Sequence, residues 1–384
     1  MTTLAELSFS REEYRSRVNR VQDIIAEKDL DALLCHTFTN ICYLTGLETI
    51  CSYVYFMLVV PREGDCVLLG RDFEMHNSLV SSWTQDNVTF GIRDDPIEAS
   101  RVLLVDRGLA DKRLGVEQDS FSLSGNTLVR LEKALPEATW VDAGGTVERV
   151  KVIKSPAEIE HIRQAARLST AGMQAAIDVA AEGKTDNDVA RAAYEVIIGG
   201  GSEYMCLDPI VTVGERSGIP HTTHRRVRIK RGDSILMELG ACIRRYSAPT
   251  MRAVVIGPPS DSMRRASDAA KACVNTVIEH MKPGNAARDI AAKGKEQLAS
   301  LPSHIVWHGC YAYSIGLGFP PKWDDCPVAV EEGDPTILQP GMVFHTSCSL
   351  RDVGKFGVTF GDTVVITASG CEVLTGVPRE LVVK

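Results

Sequence analysis

The chain has 384 residues, more than one ordinary domain holds, and is read as two domains. Apolar residues make up 44% and charged residues 24%, with a formal net charge of -8, and no Lys/Arg block is long enough to suggest a nucleic-acid groove. No segment is as long and apolar as a membrane span, the first residues lack a signal-peptide core, and eleven cysteines without a CxxC pair point to reduced thiols and a cytoplasmic protein.

Residues 11–28 predict a helix, with Val18, Val21, Ile24 and Ile25 on one face. LDALLC (30–35) reads as a buried strand. NICYLTGLETICSYVYFMLVVP (40–61) reads as a Gly turn inside a β-rich run. GDCVLLG and KRLGVEQDSFS each supply a strand, and SLSGNTLVRLEKAL a helix. This alternation predicts a small α/β domain over residues 1–153. A second domain, 154–384, opens on KSPAEIEHIR, with Ser155 as N-cap, Pro156 at the first helical position and Glu158 completing a capping box. AAEGKTDNDVARAAYEVI (180–197) is echoed by HMKPGNAARDIAAKGKEQL (280–298), and strand-rich stretches follow each, which suggests a duplicated half-domain. The basic run HRRVRIKR (224–231) alternates with Val227 and Ile229 and reads as one solvated face.

Polar groups that could carry chemistry gather in the second domain: His221 and His224 after a Gly-Ile-Pro turn, Glu238, Tyr246 and Arg252 in one predicted hairpin, His308 and Tyr313 in a Gly-rich segment, and His345 with Ser347 two apart on a strand. Asp362 lies in a further strand between Thr359 and Thr363. Glu238 is the sharpest of these. It interrupts the apolar strand SILMELGA, where Leu236, Glu238 and Gly240 share a face, and a carboxylate beside a bare Gly suggests a cavity. A structural ion pair between Glu238 and Arg252 is the plainer alternative.

The second domain resembles the creatinase/aminopeptidase P family, whose fold is the pita-bread fold. The resemblance rests on KSPAEIEHIR, PHTTHRRVRIKRGDSILMELGA, the TMR at 250–252, YSIGLG, LQPGMVF and GDTVVIT taken together. It implies an α/β N-terminal domain followed by an α+β pita-bread domain of two pseudo-twofold halves. The family's metallopeptidases bind two metal ions through two Asp, one His and two Glu. Those positions fall here on Glu238, Pro249, Tyr313, Ser347 and Gly361. The expectation is therefore no metal and no cofactor.

The metal-free branch of the family, creatinase and the ectoine hydrolases, is the closer match. It implies hydrolysis of a non-peptide C–N bond in a small amidine, guanidino or cyclic amide substrate. By that resemblance Glu238 and His221 are catalytic, and Tyr246, Arg252, Tyr313 and His345 bind substrate. The resemblance also implies a homodimer, in which Glu48 and Tyr53 are expected to reach the pocket of the neighbouring subunit. The alternatives on the same fold are an Xaa-Pro metallopeptidase and a non-catalytic binding module.

Overall fold

The computed structural model describes residues 6–307 and 309–384. It divides into two compact units between Lys151 and Val152. In the first unit α1 (Arg11–Glu27) begins where Ser10 Oγ accepts the Glu13 amide at 3.2 Å, and it buries Val18, Val21 and Ile25. There follow β1 (Ala32–Cys35), α2 (Phe38–Thr45), β2 (Phe56–Pro61), β3 (Val67–Arg71), the single turns α3 (Asp72–Met75) and α4 (Ser78–Ser81), β4 (Asn87–Phe90), α5 (Pro96–Asp106), β5 (Arg113–Val116), α6 (Gly125–Ala134), β6 (Thr139–Asp142) and α7 (Glu148–Lys151). The strands form one mixed sheet in the order β4-β3-β2-β1-β5-β6. Its central strand β1 is buried along its whole length, which explains the unbroken apolar run.

The region expected as β-rich from residue 40 instead continues α2, which Gly46 ends at φ +79°. Seven of its eight residues are buried, so no polar stripe reveals the helical period.

The second unit runs α8 (Pro156–Val179), α9 (Asp186–Gly199), β7 (Ile210–Val213), β8 (Ser234–Ile243), β9 (Tyr246–Val255), α10 (Asp261–His280), α11 (Ala287–Glu296), β10 (Ile305–Trp307), β11 (Ala312–Phe319), β12 (Lys322–Val330), β13 (Val343–Asp352), β14 (Phe356–Ile366), β15 (Cys371–Val373) and β16 (Val382–Val383). Seven of the strands lie in the order β12-β11-β13-β14-β9-β8-β7. The capping box of α8 is formed as the sequence predicts, with Ser155 and Glu158 bonding each other's amides.

The internal echo is a structural repeat. Helix α8 packs on the β8–β9 hairpin, and α10 packs on the β13–β14 hairpin. In one half the Gly183 amide donates to the Ile229 carbonyl at 2.9 Å; in the other Gly284 donates to Leu338 at 2.9 Å. An isolated bridge then links Thr185 to Arg228, and another links Ala286 to Ile337.

A two-residue turn at Arg244 and Arg245, both with positive φ, closes the β8–β9 hairpin. Arg245 holds this unusual conformation because its buried guanidinium donates to the carbonyl of Tyr204 at 2.8 Å and lies over the Tyr204 ring. The turn fixes the register that sets Glu238 opposite Met251.

Arg252, one residue further, faces the other side of the sheet. There it is fully buried and donates to Asp362 Oδ1 at 2.8 Å, to the Gly361 carbonyl at 2.8 Å and to the Pro378 carbonyl at 2.9 Å. Asp362 also accepts from Thr375 and Arg379. Replacing Asp362 by Ala should strand a buried cation and cost about 3–5 kcal/mol, read as a lowered urea midpoint. A shift under about 1 kcal/mol would show that the carbonyls alone suffice.

Candidate active site

Five strands and two loops of the second unit enclose a cavity of about 210 Å³. Strand periodicity assigns its lining: Ile210 and Thr212 from β7, Leu236 and Glu238 from β8, Met251 from β9, Tyr313 from β11, and Ser347, Ser349 and Arg351 from β13. Ile219, Pro220 and His221 close one side, Gly309 and Cys310 another. His308, a candidate by sequence, lies outside the described residues.

Glu238 is 8% exposed. It makes no hydrogen bond or ion pair among the described residues. Burial raises its carboxyl to about 7, against an opposing pull from Arg351. Tyr313 Oη accepts a hydrogen bond from Trp323 Nε1 at 2.8 Å, which leaves its own proton free for the cavity. Burial and then the nearby Glu238 carboxylate raise its phenol well above the ordinary value, so it is a donor at neutral pH. His221 is exposed at the rim, with φ +54°.

Three of the expected site residues thus share one cavity: Glu238, His221 and Tyr313. Tyr246 and Arg252 do not line it. Both lie on the alternate residues of β9 that face away from Met251, so strand parity removes them. Tyr246 is fully buried and donates to Glu158 Oε1 at 2.8 Å, tying the hairpin to α8. Arg252 is consumed by the Asp362 pair, and the alternative of an ion pair with Glu238 fails for the same reason. His345 sits on the cavity face of β13 but beyond its end. It is fully buried, burial lowers its imidazole to about 3, and its ring meets Tyr313 edge-on at 5.4 Å. It is a neutral packing group there. Glu48 and Tyr53 belong to the first unit, where Glu48 accepts from Ser8 at 3.2 Å and Tyr53 is 81% exposed.

Arg351 is the residue sequence reading missed. The signal was present: the period of two that carries His345 to Ser347 continues to Ser349 and Arg351.

Two family models match the chain, the Creatinase/Prolidase N-terminal domain over residues 17–153 and Metallopeptidase family M24 over residues 160–368. The chain belongs to metallopeptidase family M24. Ectoine hydrolase of Halomonas elongata is 31% identical over 98% of this chain and 99% of its own. An Xaa-Pro dipeptidase of Pyrococcus horikoshii is 24% identical over 95% of this chain and 98% of its own. Among solved structures, a prolidase from Thermococcus sibiricus superposes with a TM-score of 0.86 at 20% identity, covering 97% of this chain and 99% of that one, which establishes the shared fold. The protein is therefore an M24-family hydrolase with the pita-bread fold.

The M24 name implies metal ions, and the donors present do not fit them. Of the five positions where the resemblance puts ligands, only Glu238 carries a carboxylate. No group of three or more His, Cys, Asp or Glu side chains suited to a metal occurs among the described residues. Gly361 leaves no room for a returning carboxylate: a Cβ there would lie 2.5 Å from the Thr346 carbonyl oxygen and 3.0 Å from the His345 ring. Hard divalent ions need several oxygen or imidazole donors at once.

The raised carboxyl has a thermodynamic consequence. Unfolded Glu238 loses its proton near its ordinary 4.5, and the native residue holds its proton to about 7. Between those values the native state binds more protons, so this residue lowers stability as pH rises from about 4.5 to about 7 and has no further effect above. Glu238→Gln should abolish that loss, gaining about 3 kcal/mol over wild type between pH 4.5 and pH 8 in urea unfolding. Parallel curves for the two proteins would mean that native Glu238 ionises normally.

Proposed function

We propose that this protein hydrolyses a non-peptide C–N bond in a small amidine, guanidino or cyclic amide substrate without a metal ion, in the manner of ectoine hydrolase or creatinase. The observation that carries the reading is Glu238: a buried carboxylate without a partner among the described residues, facing a cavity that also holds His221 and Tyr313. A cavity of about 210 Å³ falls below the roughly 300–1,000 Å³ of sites for drug-sized ligands and suits a small metabolite.

A cationic amidinium bound against Glu238 forms a charge-assisted hydrogen bond and keeps the carboxylate ionised. Held there, its central carbon is the electrophile. Water adds to that carbon as His221 takes its proton. The C–N bond then breaks, the departing nitrogen collects a proton, and the products are an amide and an ammonium group. Tyr313, its phenol protonated, donates to the oxygen or nitrogen that gathers charge. An alternative within the same reading has Glu238 attack the carbon directly and water release the product. A homodimer belongs to the proposal too, with the exposed Tyr53 presented to a second copy.

The test is purification through chelator followed by assays of ectoine ring opening and creatine hydrolysis. Turnover should survive chelation and remain independent of added divalent ions. Glu238→Gln should abolish it, and His221→Ala should reduce it by roughly 10²-fold or more. Stoichiometric metal needed for turnover, or near-normal activity of Glu238→Gln, would overturn the mechanism.

A further inference from the structure

Arg351 is as buried as Glu238, at 8% exposure, and lines the same cavity. Its guanidinium has no carboxylate partner. It forms no side-chain hydrogen bond among the described residues, its Nε is sealed from solvent without an acceptor, and no contact within 4.0 Å joins it to Glu238. The neighbouring hydroxyls do not serve it. Ser347 donates to the Cys310 carbonyl at 3.2 Å, and Ser349 bonds Thr359 at 2.7 Å. Thr212, also on the wall, has a buried hydroxyl with no partner among the described residues.

A buried, unpaired guanidinium carries a heavy desolvation cost, and a packed apolar side chain would be more stable there. The cavity thus presents a cation and an ionisable carboxyl on different strands, separated and neither hydrogen-bonded among the described residues. A planar fork of donors is suited to a carboxylate, which it grips in two-point fashion.

We infer that Arg351 anchors a substrate carboxylate, so that the cavity takes a small zwitterion whose cationic amidine or guanidino group meets Glu238 while its carboxylate meets Arg351. This deepens the proposed function and rests on it for the cationic end. A cavity of about 210 Å³ is on the scale of a single substituted ring or a short chain. The partnerless Thr212 hydroxyl is a further hydrogen-bonding group for the bound molecule.

The experiment compares matched probes by calorimetry: ectoine against 2-methyltetrahydropyrimidine, and creatine against methylguanidine. Each second compound keeps the cation and lacks the carboxylate. Wild type should bind at least one zwitterion roughly 10- to 100-fold more tightly than its counterpart, the scale of charge-assisted hydrogen bonds. Arg351→Met should erase that preference while leaving the affinity for the bare cation within a few-fold. Arg351→Lys should retain part of it, as a point charge without the fork.

Urea unfolding of Arg351→Met separates binding from folding: its midpoint should equal or exceed that of wild type. A strongly lowered midpoint would make Arg351 structural and overturn the inference. So would an unchanged preference in Arg351→Met, or failure of wild type to bind either zwitterion. Preference without hydrolysis would uphold the anchor while removing the proposed reaction, and hydrolysis without preference would do the reverse.

Discussion

The buried pair between Arg252 and Asp362 is the contact on which the second unit depends. Arg252 sits on β9 of the first half and Asp362 on β14 of the second, so one ion pair joins the two repeats at the middle of the sheet. Arg252 also gathers the carbonyls of Gly361, Val377 and Pro378, which draws the C-terminal segment onto the same point. Its neighbours are thereby fixed. Met251 pairs with both Glu238 and Gly361, and Gly361 pairs with Ser347. The side chains of the cavity wall take their places from that register.

Strand parity decides which charges are structural and which face the cavity. Arg252 and Arg351 are both arginines in apolar strands, and composition cannot tell them apart. One lies a single residue past Met251 and so faces a core already supplied with Asp362. The other lies four past Ser347 and so faces the cavity, where among the described residues no carboxylate comes within ion-pair distance of it. The hairpin, the capping box at Ser155, the repeat and the cavity face of Glu238 were legible because each is local: a period, a cap or a spacing. The partner of Arg252 was not, because Asp362 is far away in sequence and only the β9–β14 pairing brings it close. Helix α2 was hidden for a different reason, since a short helix buried all round displays no amphipathic pattern.

At the positions where the resemblance puts the M24 ligands, the residues present are packed against one another. The His345 ring lies where a side chain at Gly361 would project, and it packs in turn on Tyr313 and Trp323. Tyr313, where the resemblance puts a metal-binding histidine, is held by Trp323. A carboxylate returned to position 361 would therefore meet backbone and an imidazole, so the departure from the metallopeptidase pattern is built into the packing of three aromatic rings as well as into the missing donors.

The cavity keeps two groups of opposite sign apart on different strands, each at a desolvation cost that the other offsets only in part. Each moderates the other at a distance: Arg351 pulls the Glu238 carboxyl down from where burial alone would put it, and Glu238 partly restores the protonated guanidinium that burial disfavours. Near neutral pH Glu238 is then divided between its two protonation states. A cation docked against it favours the ionised state, so binding releases part of a proton, while an anion docked against Arg351 needs no such exchange because a guanidinium stays charged. A zwitterion that satisfies both walls gains two charge-assisted contacts in a low-dielectric space and leaves the net charge of the site almost unaltered. The desolvation that makes the unliganded site costly is the same quantity that makes it selective, since a ligand with only one of the two charges leaves the other buried and alone.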